Sequence, residues 1–398
     1  MRVALITVAY PPLRSSCAVQ MHDLAREFAA QGHEPVVLVP DANLARPWAL
    51  QTLDGIQVLR LSALPTRDIG YLWRTLAEIV LPWAMLRGLR KSPLASQRWD
   101  AVVWYSPSIF FGPLVNALKR FSKCRSYLIQ RDVFPEWAVD LGLLRKGLAY
   151  RILKVFQRQQ YEAADIIGVQ APSNLVYLAH LTGKPRLRLE VLWNWLADAR
   201  DTGCSVVIDA TLLAGRTIFV YAGNMGVAQG VDVFVDLAER LKHRRDIGFL
   251  FVGRGSESPR LRAVAVERGM NNVLFHDEID PVEIPGLLAQ CDVGLLALDP
   301  RHQTHNIPGK FLAYVQAGLP VLARINANND LVGLIEAEGV GRVNTGTTLD
   351  SLQTVAEEMA GDKSGRAIMS ASGRDLAKKL FSPNTAVRQI VAALSQPT

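Results

Sequence analysis

The stretch Thr304-His305-Asn306-Ile307-Pro308-Gly309-Lys310-Phe311-Leu312-Ala313-Tyr314-Val315-Gln316-Ala317-Gly318-Leu319-Pro320, followed by Val321-Leu322-Ala323, packs a loop, a helix and a strand into one short run. Pro308 and Gly309 predict a loop that delivers Lys310 to the first turn of a helix. Gly318 predicts its end, since a residue without Cβ turns the chain out of a helix at little cost. The apolar run from Pro320 to Ala323 then predicts a buried strand. A helix N-terminus carries unpaired N–H groups and partial positive charge, so a lysine beside it suits a phosphate or diphosphate. An ordinary connection with a surface lysine is the alternative that these residues alone leave open.

Outward from this unit, short β-rich apolar runs alternate with amphipathic helical patterns, the mark of βαβ units and parallel sheets. Strands are expected at Val3–Val8, Pro35–Val39, Val58–Leu61, Ala101–Trp104, Ser126–Ile129, Ile166–Val169 and Leu189–Leu192, with helices including Ala18–Gln31 and Leu143–Ala163. Residues 197–215 lose the rhythm and read as a linker. It restarts at Thr217–Tyr221 and repeats at Phe249–Val252, Val273–Phe275, Val293–Ala297 and Val321–Ala323. A chain of 398 residues suits two cores. The expected fold class is α/β, with two doubly wound domains facing each other across a cleft. Residues 1–196 form the first and 197–375 the second; 376–398 are a helix free to cross back to the first. Ligands of such sheets bind beyond the carboxyl ends of the strands.

Composition narrows the field. With 49% apolar and 20% charged residues the chain has the makings of a well-packed core. No apolar run reaches the roughly 18 residues that span a bilayer. The run Val3–Val8 leads straight into Tyr10-Pro11-Pro12 without a small-residue cleavage site, which predicts a first strand rather than a signal peptide. Four scattered cysteines fit reduced thiols in a cytoplasmic protein and argue against structural zinc. Charge is uneven: residues 1–200 hold 25 Lys+Arg and 15 Asp+Glu, or +10, and the remainder 19 and 22, or −3. Such asymmetry predicts that the first half meets an anionic partner, and no recognisable nucleic-acid module is present.

Several segments carry a family resemblance together. Tyr10-Pro11-Pro12, the helix after it and Gln31-Gly32-His33-Glu34-Pro35-Val36-Val37-Leu38 resemble the opening of bacterial family 4 glycosyltransferases, with Ser15-Ser16 in place of the usual Gly-Gly. Gln130-Arg131-Asp132-Val133-Phe134-Pro135-Glu136-Trp137, with Leu141-Gly142 after it, resembles a segment of members that build O-antigens, capsules and lipopolysaccharide cores. Ala164–Val169 and Val191–Trp195 resemble two further landmarks. The resemblance implies a GT-B fold of two Rossmann-like domains, a nucleotide-sugar donor and retention of anomeric configuration.

Site roles follow from it. Lys310 and Arg254 are the cations expected at the leaving diphosphate, and Asp132 a carboxylate for sugar hydroxyls or, alternatively, a helix N-cap. Ser15, Ser16, Gly223, Asn224, Gly226, Gln229, His305, Asn306, Ile307, Pro308, Gly309 and Phe311 are expected around the donor. Phe275 and His276 are assigned to the base, and Arg131 and Glu136 to the acceptor or to a salt-bridged rim. Relatives carry Arg and Lys where Asn224 and Gln229 stand, and a ribose-binding glutamate where Ala313 stands. Ribose contact then passes to Tyr314, Gln316 or the backbone. The run His305–Phe311 looks most like transferases of an N-acetylated 6-deoxyhexosamine such as N-acetyl-fucosamine.

Tyr71-Leu72-Trp73-Arg74-Thr75-Leu76-Ala77-Glu78-Ile79-Val80-Leu81-Pro82-Trp83-Ala84-Met85-Leu86-Arg87-Gly88-Leu89-Arg90-Lys91 is aromatic, apolar and basic, which predicts contact with an anionic membrane surface. A helix packed into the first domain is the other reading. Basic helpers are expected at Lys119, Arg120, Lys123, Arg125, Arg145, Lys146, Arg151 and Lys154. The combined expectation is a transferase on the cytoplasmic face of the inner membrane, with a UDP-sugar donor and a lipid-linked saccharide acceptor. No acidic pair follows a strand, Asp41, Asp54 and Asp68 being isolated, so neither metal nor cofactor is expected. A UDP-sugar epimerase on the same fold and a nucleotide-sugar-binding scaffold without activity are the rivals.

Overall fold

A computed structural model describes residues 1–13, 15–66, 69–140, 142–181, 187–198, 202–298, 307–346 and 348–396. They form two compact units, Met1–Trp195 with Pro383–Thr398, and Leu196–Ser382.

The first unit is built on strands β1 Arg2–Ile6, β2 Glu34–Asp41, β3 Trp48–Leu53, β4 Ile56–Ser62, β5 Ala101–Tyr105, β6 Arg125–Gln130, β7 Ile166–Val169 and β8 Arg188–Val191. Their order is β3-β4-β2-β1-β5-β6-β7-β8, parallel throughout except for the β3–β4 hairpin. Successive side chains of a strand point to opposite faces. Val3 and Leu5 of β1 therefore enter one core, and Ala4 and Ile6 the other; β5 divides Ala101, Val103 and Tyr105 from Val102 and Trp104 in the same way. Burial on both faces demands apolar residues at nearly every position, hence the continuous apolar runs. Helices Ser16–Ala30 and Pro383–Ser395 close one core, and helices Tyr71–Arg90 and Gly112–Ser122 help close the other.

The sequence reading omits β3. This strand lies at the sheet edge with Leu50, Gln51 and Thr52 exposed, so no buried run marks it. Its one signal is the turn Asp54-Gly55, with φ of 50° and 79°, a two-residue hairpin connection.

The second unit holds β9 Thr217–Ala222, β10 Ile247–Val252, β11 Val273–His276, β12 Val293–Ala297, β13 Val321–Arg324 and β14 Gly341–Asn344. The order is β11-β10-β9-β12-β13-β14 and every pair is parallel. Strand order reverses at β9, as it does at β1 in the first unit, and such a switch point is where an open α/β sheet binds its ligand. A helix, Lys363–Leu380, runs through the position expected for the second boundary, and the chain rejoins the first unit only at Pro383. No helix among the described residues is long and apolar enough to cross a membrane.

Candidate functional site

In the second unit the chain leaves β9 at the switch point through Gly223-Asn224-Met225-Gly226. Gly223 has φ +134°, and a Cβ there would stand 3.3 Å from Lys310 Nζ. The loop after β10 lies against it. Gly223 N–H donates to Val252 O at 2.8 Å, and Met225 N–H to Arg254 O at 2.7 Å. Gly253, at φ +142°, makes this approach possible, because a Cβ there would come within 2.1 Å of Gly223 O.

Lys310 reaches the same place from the other side of the switch point. Helix Gly309–Ala317 begins after Pro308 without a side-chain cap, so its first turn adds N–H groups and partial positive charge. Lys310 Nζ stands 4.7 Å over the Tyr221 ring, whose hydroxyl donates to Asn224 O at 2.7 Å. Burial pushes the lysine pKa down from 10.5 to about 8, and among the described residues no carboxylate offsets it. A desolvated cation beside backbone amides is suited to a dianionic phosphate group. Tyr221, the platform under this cation, is the functional residue that sequence reading missed; an aromatic residue just before a glycine loop is its only signal.

The remaining donor residues divide. Asn224 Nδ2 and Gly226 N–H both donate to Gln229 Oε1 at 3.0 Å, so Gln229 closes the loop on itself. Arg254 pairs with Glu278 at 3.0 Å with its side chain 79% exposed, a surface ion pair worth at most about 1 kcal/mol. Pro308 and Gly309 stand at the helix start, whereas Ile307 is buried. Phe311 departs from the donor role: it is buried with its ring edge-on to Phe381 at 5.8 Å. His305 and Asn306 lie outside the described residues.

Phe275 is likewise a core-flanking ring rather than a base platform. It stacks on Phe251 at 4.8 Å, because alternation along β11 turns it toward the packed side of the sheet. The 310 Å³ cavity that it lines with Arg262 and Met270 also includes Gly269 and Asn271, so it opens toward the amino end of β11, away from the Gly223 loop. His276 follows at the carboxyl end of the strand, half-buried, with Nδ1 2.8 Å from Asp277 O. The expected ribose substitutes are engaged elsewhere. Tyr314 OH donates to Val220 O at 3.3 Å and accepts from Ala222 N–H at 3.1 Å. Gln316 Nε2 donates to Ala197 O at 3.2 Å and Asp198 Oδ1 at 3.1 Å.

In the first unit Ser15 caps helix Ser16–Ala30, its hydroxyl accepting from Ala18 N–H at 3.3 Å, and Ser16 is exposed in the first turn. This helix start follows β1, at that sheet's switch point. Asp132 is half-buried just past β6; the helix that follows begins only at Glu136, so Asp132 is not its N-cap. Arg131 is not an acceptor-facing rim residue. It is buried, donates to Leu192 O at 2.9 Å and Trp193 O at 3.4 Å, and lies 4.7 Å over the Trp195 ring. It fixes the segment by which the chain leaves this unit. Glu136 is tied to Lys154 at 2.5 Å and Gln157 at 2.8 Å, so its carboxylate braces the helix Leu148–Ala163. Those hydrogen bonds and the Lys154 charge outweigh burial and hold its pKa below the usual carboxylate value. Among the described residues no group of three His, Cys, Asp or Glu side chains is arranged to hold a metal ion.

Comparison with known proteins places this geometry. Residues 216–351 match the family model described as "Glycosyl transferases group 1". The chain is 24% identical over 357 residues to a putative colanic acid biosynthesis glycosyl transferase, WcaI, of Escherichia coli (strain K12), covering 84% of this chain and 86% of that one. It is 25% identical over 219 residues to a probable glycosyltransferase, WbjE, of Pseudomonas aeruginosa; that match covers 54% of this chain and about half, 54%, of the relative. Among solved structures it superposes on WaaG, a glycosyltransferase involved in lipopolysaccharide biosynthesis, with a TM-score of 0.62 at 17% identity, over 99% of this chain and all of that one. The chain is thus a two-domain α/β protein with the GT-B fold, whose residues 216–351 match the model of the group 1 glycosyl transferases.

Proposed function

We propose that the protein is a retaining glycosyltransferase of surface-polysaccharide synthesis. It takes a sugar from a UDP-sugar, an N-acetylated hexosamine or 6-deoxyhexosamine such as N-acetyl-fucosamine, and passes it to a lipid-linked saccharide of lipopolysaccharide, O-antigen or capsule. The observation that carries this reading is Lys310, a buried cation at a helix start, meeting the Gly223 loop at the β9 switch point. The similarity to WcaI and the likeness to WaaG support the polysaccharide setting.

Departure of a nucleoside diphosphate builds negative charge on its terminal phosphate. Fixed positive charge at that point lowers the barrier, because the groups are already oriented when the charge appears. Lys310 Nζ and the first-turn amides supply it in this reading, with Arg254 at the loop edge. The leaving diphosphate takes up the acceptor proton on the same face, so no protein nucleophile is required and configuration is kept. Asp132 receives hydrogen bonds from acceptor hydroxyls. His276 borders the base, and ribose contact falls to backbone groups, since Tyr314 and Gln316 are engaged. The reaction as proposed needs neither metal nor cofactor.

The test is Lys310→Ala. The variant should keep its circular dichroism spectrum and melting temperature, yet lose at least about a hundredfold in sugar transfer from a UDP-sugar panel to membrane lipids, by analogy with a lost oxyanion donor. Unchanged turnover would remove Lys310 from the mechanism. Conversion of the UDP-sugar without any acceptor would replace transfer with epimerisation.

A further inference from the structure

Helix Tyr71–Arg90 packs one face against the first unit through Ala77, Leu81, Met85 and Leu89, all buried. Its opposite face is apolar as well. Trp73 is 72% exposed, Leu76 53%, Val80 46% and Trp83 51%, and the stripe continues in the exposed Arg87 and Arg90. These positions recur every three or four residues and so lie along one side of the helix. A helix that needed only to pack would carry polar residues there. The next long helix repeats the pattern: Leu148 is 76% exposed, Ile152 46% and Val155 54%, with exposed Arg145, Lys146 and Arg151 around them. Ile79 from the first helix and Leu153 and Phe156 from the second share one small apolar cluster with Ile109 and Phe110, which draws the two helices together.

We infer that these two helix faces form the surface by which the first unit lies on an anionic lipid bilayer. The inference rests on the lipid-linked acceptor proposed above and names the side of the molecule that meets it. Exposed tryptophans in line with aliphatic side chains suit the boundary between acyl chains and headgroups, and the flanking arginines and lysines suit anionic headgroups. From Arg74 to Arg158 the chain carries 15 Lys and Arg against 5 Asp and Glu, a field that favours an anionic occupant. Several cations of that stretch are committed internally: Lys119 pairs with Asp165 at 2.8 Å, Arg125 donates to Ala393 O at 3.1 Å, Lys154 is bound to Glu136, and buried Arg131 donates to Leu192 O; Arg74 and Arg158 pair with Glu78 and Glu162 along their own helices. Arg87, Arg90, Lys91, Arg145, Lys146 and Arg151 are exposed and available. The helix lies flat in this arrangement, its tryptophan end in the interface and its arginine end among the headgroups.

The experiment is flotation of the purified full chain with vesicles of phosphatidylglycerol and phosphatidylethanolamine, and separately with phosphatidylcholine alone. The wild-type protein should float with the anionic vesicles and stay behind with the neutral ones. Trp73→Ala with Trp83→Ala should lower capture by at least about tenfold. Arg87→Gln with Arg90→Gln should lower it roughly tenfold or more, and added salt should lower capture of the wild type in the same direction. Leu148→Ser with Ile152→Ser checks the second helix, and melting temperatures confirm that exposed substitutions leave the fold intact. Wild-type protein that ignores anionic vesicles, or variants captured as well as wild type, would overturn the inference. So would a concentration-dependent dimer dispersed by the tryptophan substitutions, which would make the stripe a protein interface. Calorimetric titration with UDP keeps the two readings apart: UDP binding without vesicle capture defeats this inference alone, whereas vesicle capture without UDP binding defeats the proposed donor site alone.

Discussion

Lys310 is held away from water with burial as the one cause of its lowered pKa, so an incoming anion meets a charge that no carboxylate among the described residues offsets. The sign of its pH dependence follows. Burial favours the neutral amine and brings the pKa to about 8, while a bound diphosphate favours the charged form. UDP affinity should therefore hold steady below that value and fall as pH rises through it, by up to about tenfold per pH unit. Lys310→Arg should keep affinity level to higher pH, since guanidinium does not titrate there. Titration calorimetry from neutral to alkaline pH measures both, and a flat wild-type profile would count against phosphate contact at this lysine. Lys310 and the glycine loops were legible because their place at strand ends follows from sequence rhythm. The directions in which Arg131, Phe275 and Phe311 turn are not legible, because sequence shows which residues are neighbours, not which way each side chain points. Nothing in the letters distinguishes a guanidinium bound to Leu192 O from one facing a substrate.

At the scale of elements, strands buried on both faces announce themselves most plainly, although the less buried β8 and β11 are also expected from sequence. β1, β5, β9, β10 and β12 were legible as apolar runs, whereas β3 at an exposed edge was not. Helix Gly309–Ala317 was legible at both ends, from Pro308 and Gly309 at its start and Gly318, φ +75°, at its close. What sequence did not reveal is how that helix is tied down. The Tyr314 hydroxyl bridges Val220 O and Ala222 N–H at the end of β9, and Gly294 leaves room for the ring, since a Cβ there would come within 2.5 Å of it. Tyr314→Phe strands both backbone groups and should cost about 1–3 kcal/mol in urea unfolding. UDP affinity should drop with it, because the bond holds Lys310's helix against the Gly223 strand. A variant of wild-type stability would show that water replaces the hydroxyl.

For the whole molecule, the two-domain plan was legible, because the βα rhythm stops near residue 197 and restarts at Thr217. The exact return point was not, since the helices Lys363–Leu380 and Pro383–Ser395 look alike as sequence and only packing separates them. The last helix buries Val387, Ile390 and Leu394 beside Phe28 and Leu24 in a core of the first unit. At about 1.5–3 kcal/mol for each large aliphatic side chain, that contact is comparable with a domain's whole stability. Deleting residues 383–398 should lower or abolish the calorimetric transition of the first unit and leave that of the second near its original temperature. Two unshifted transitions would mean that the helix is dispensable.

The division of the chain has a practical corollary. Residues 196–382 form one unbroken segment, whereas the other unit is assembled from two pieces that flank it. That segment is therefore a cassette with two splice points, beside Trp195 and Pro383, and under the proposed function trading it for that of a relative should alter the sugar supplied while the recipient stays the same.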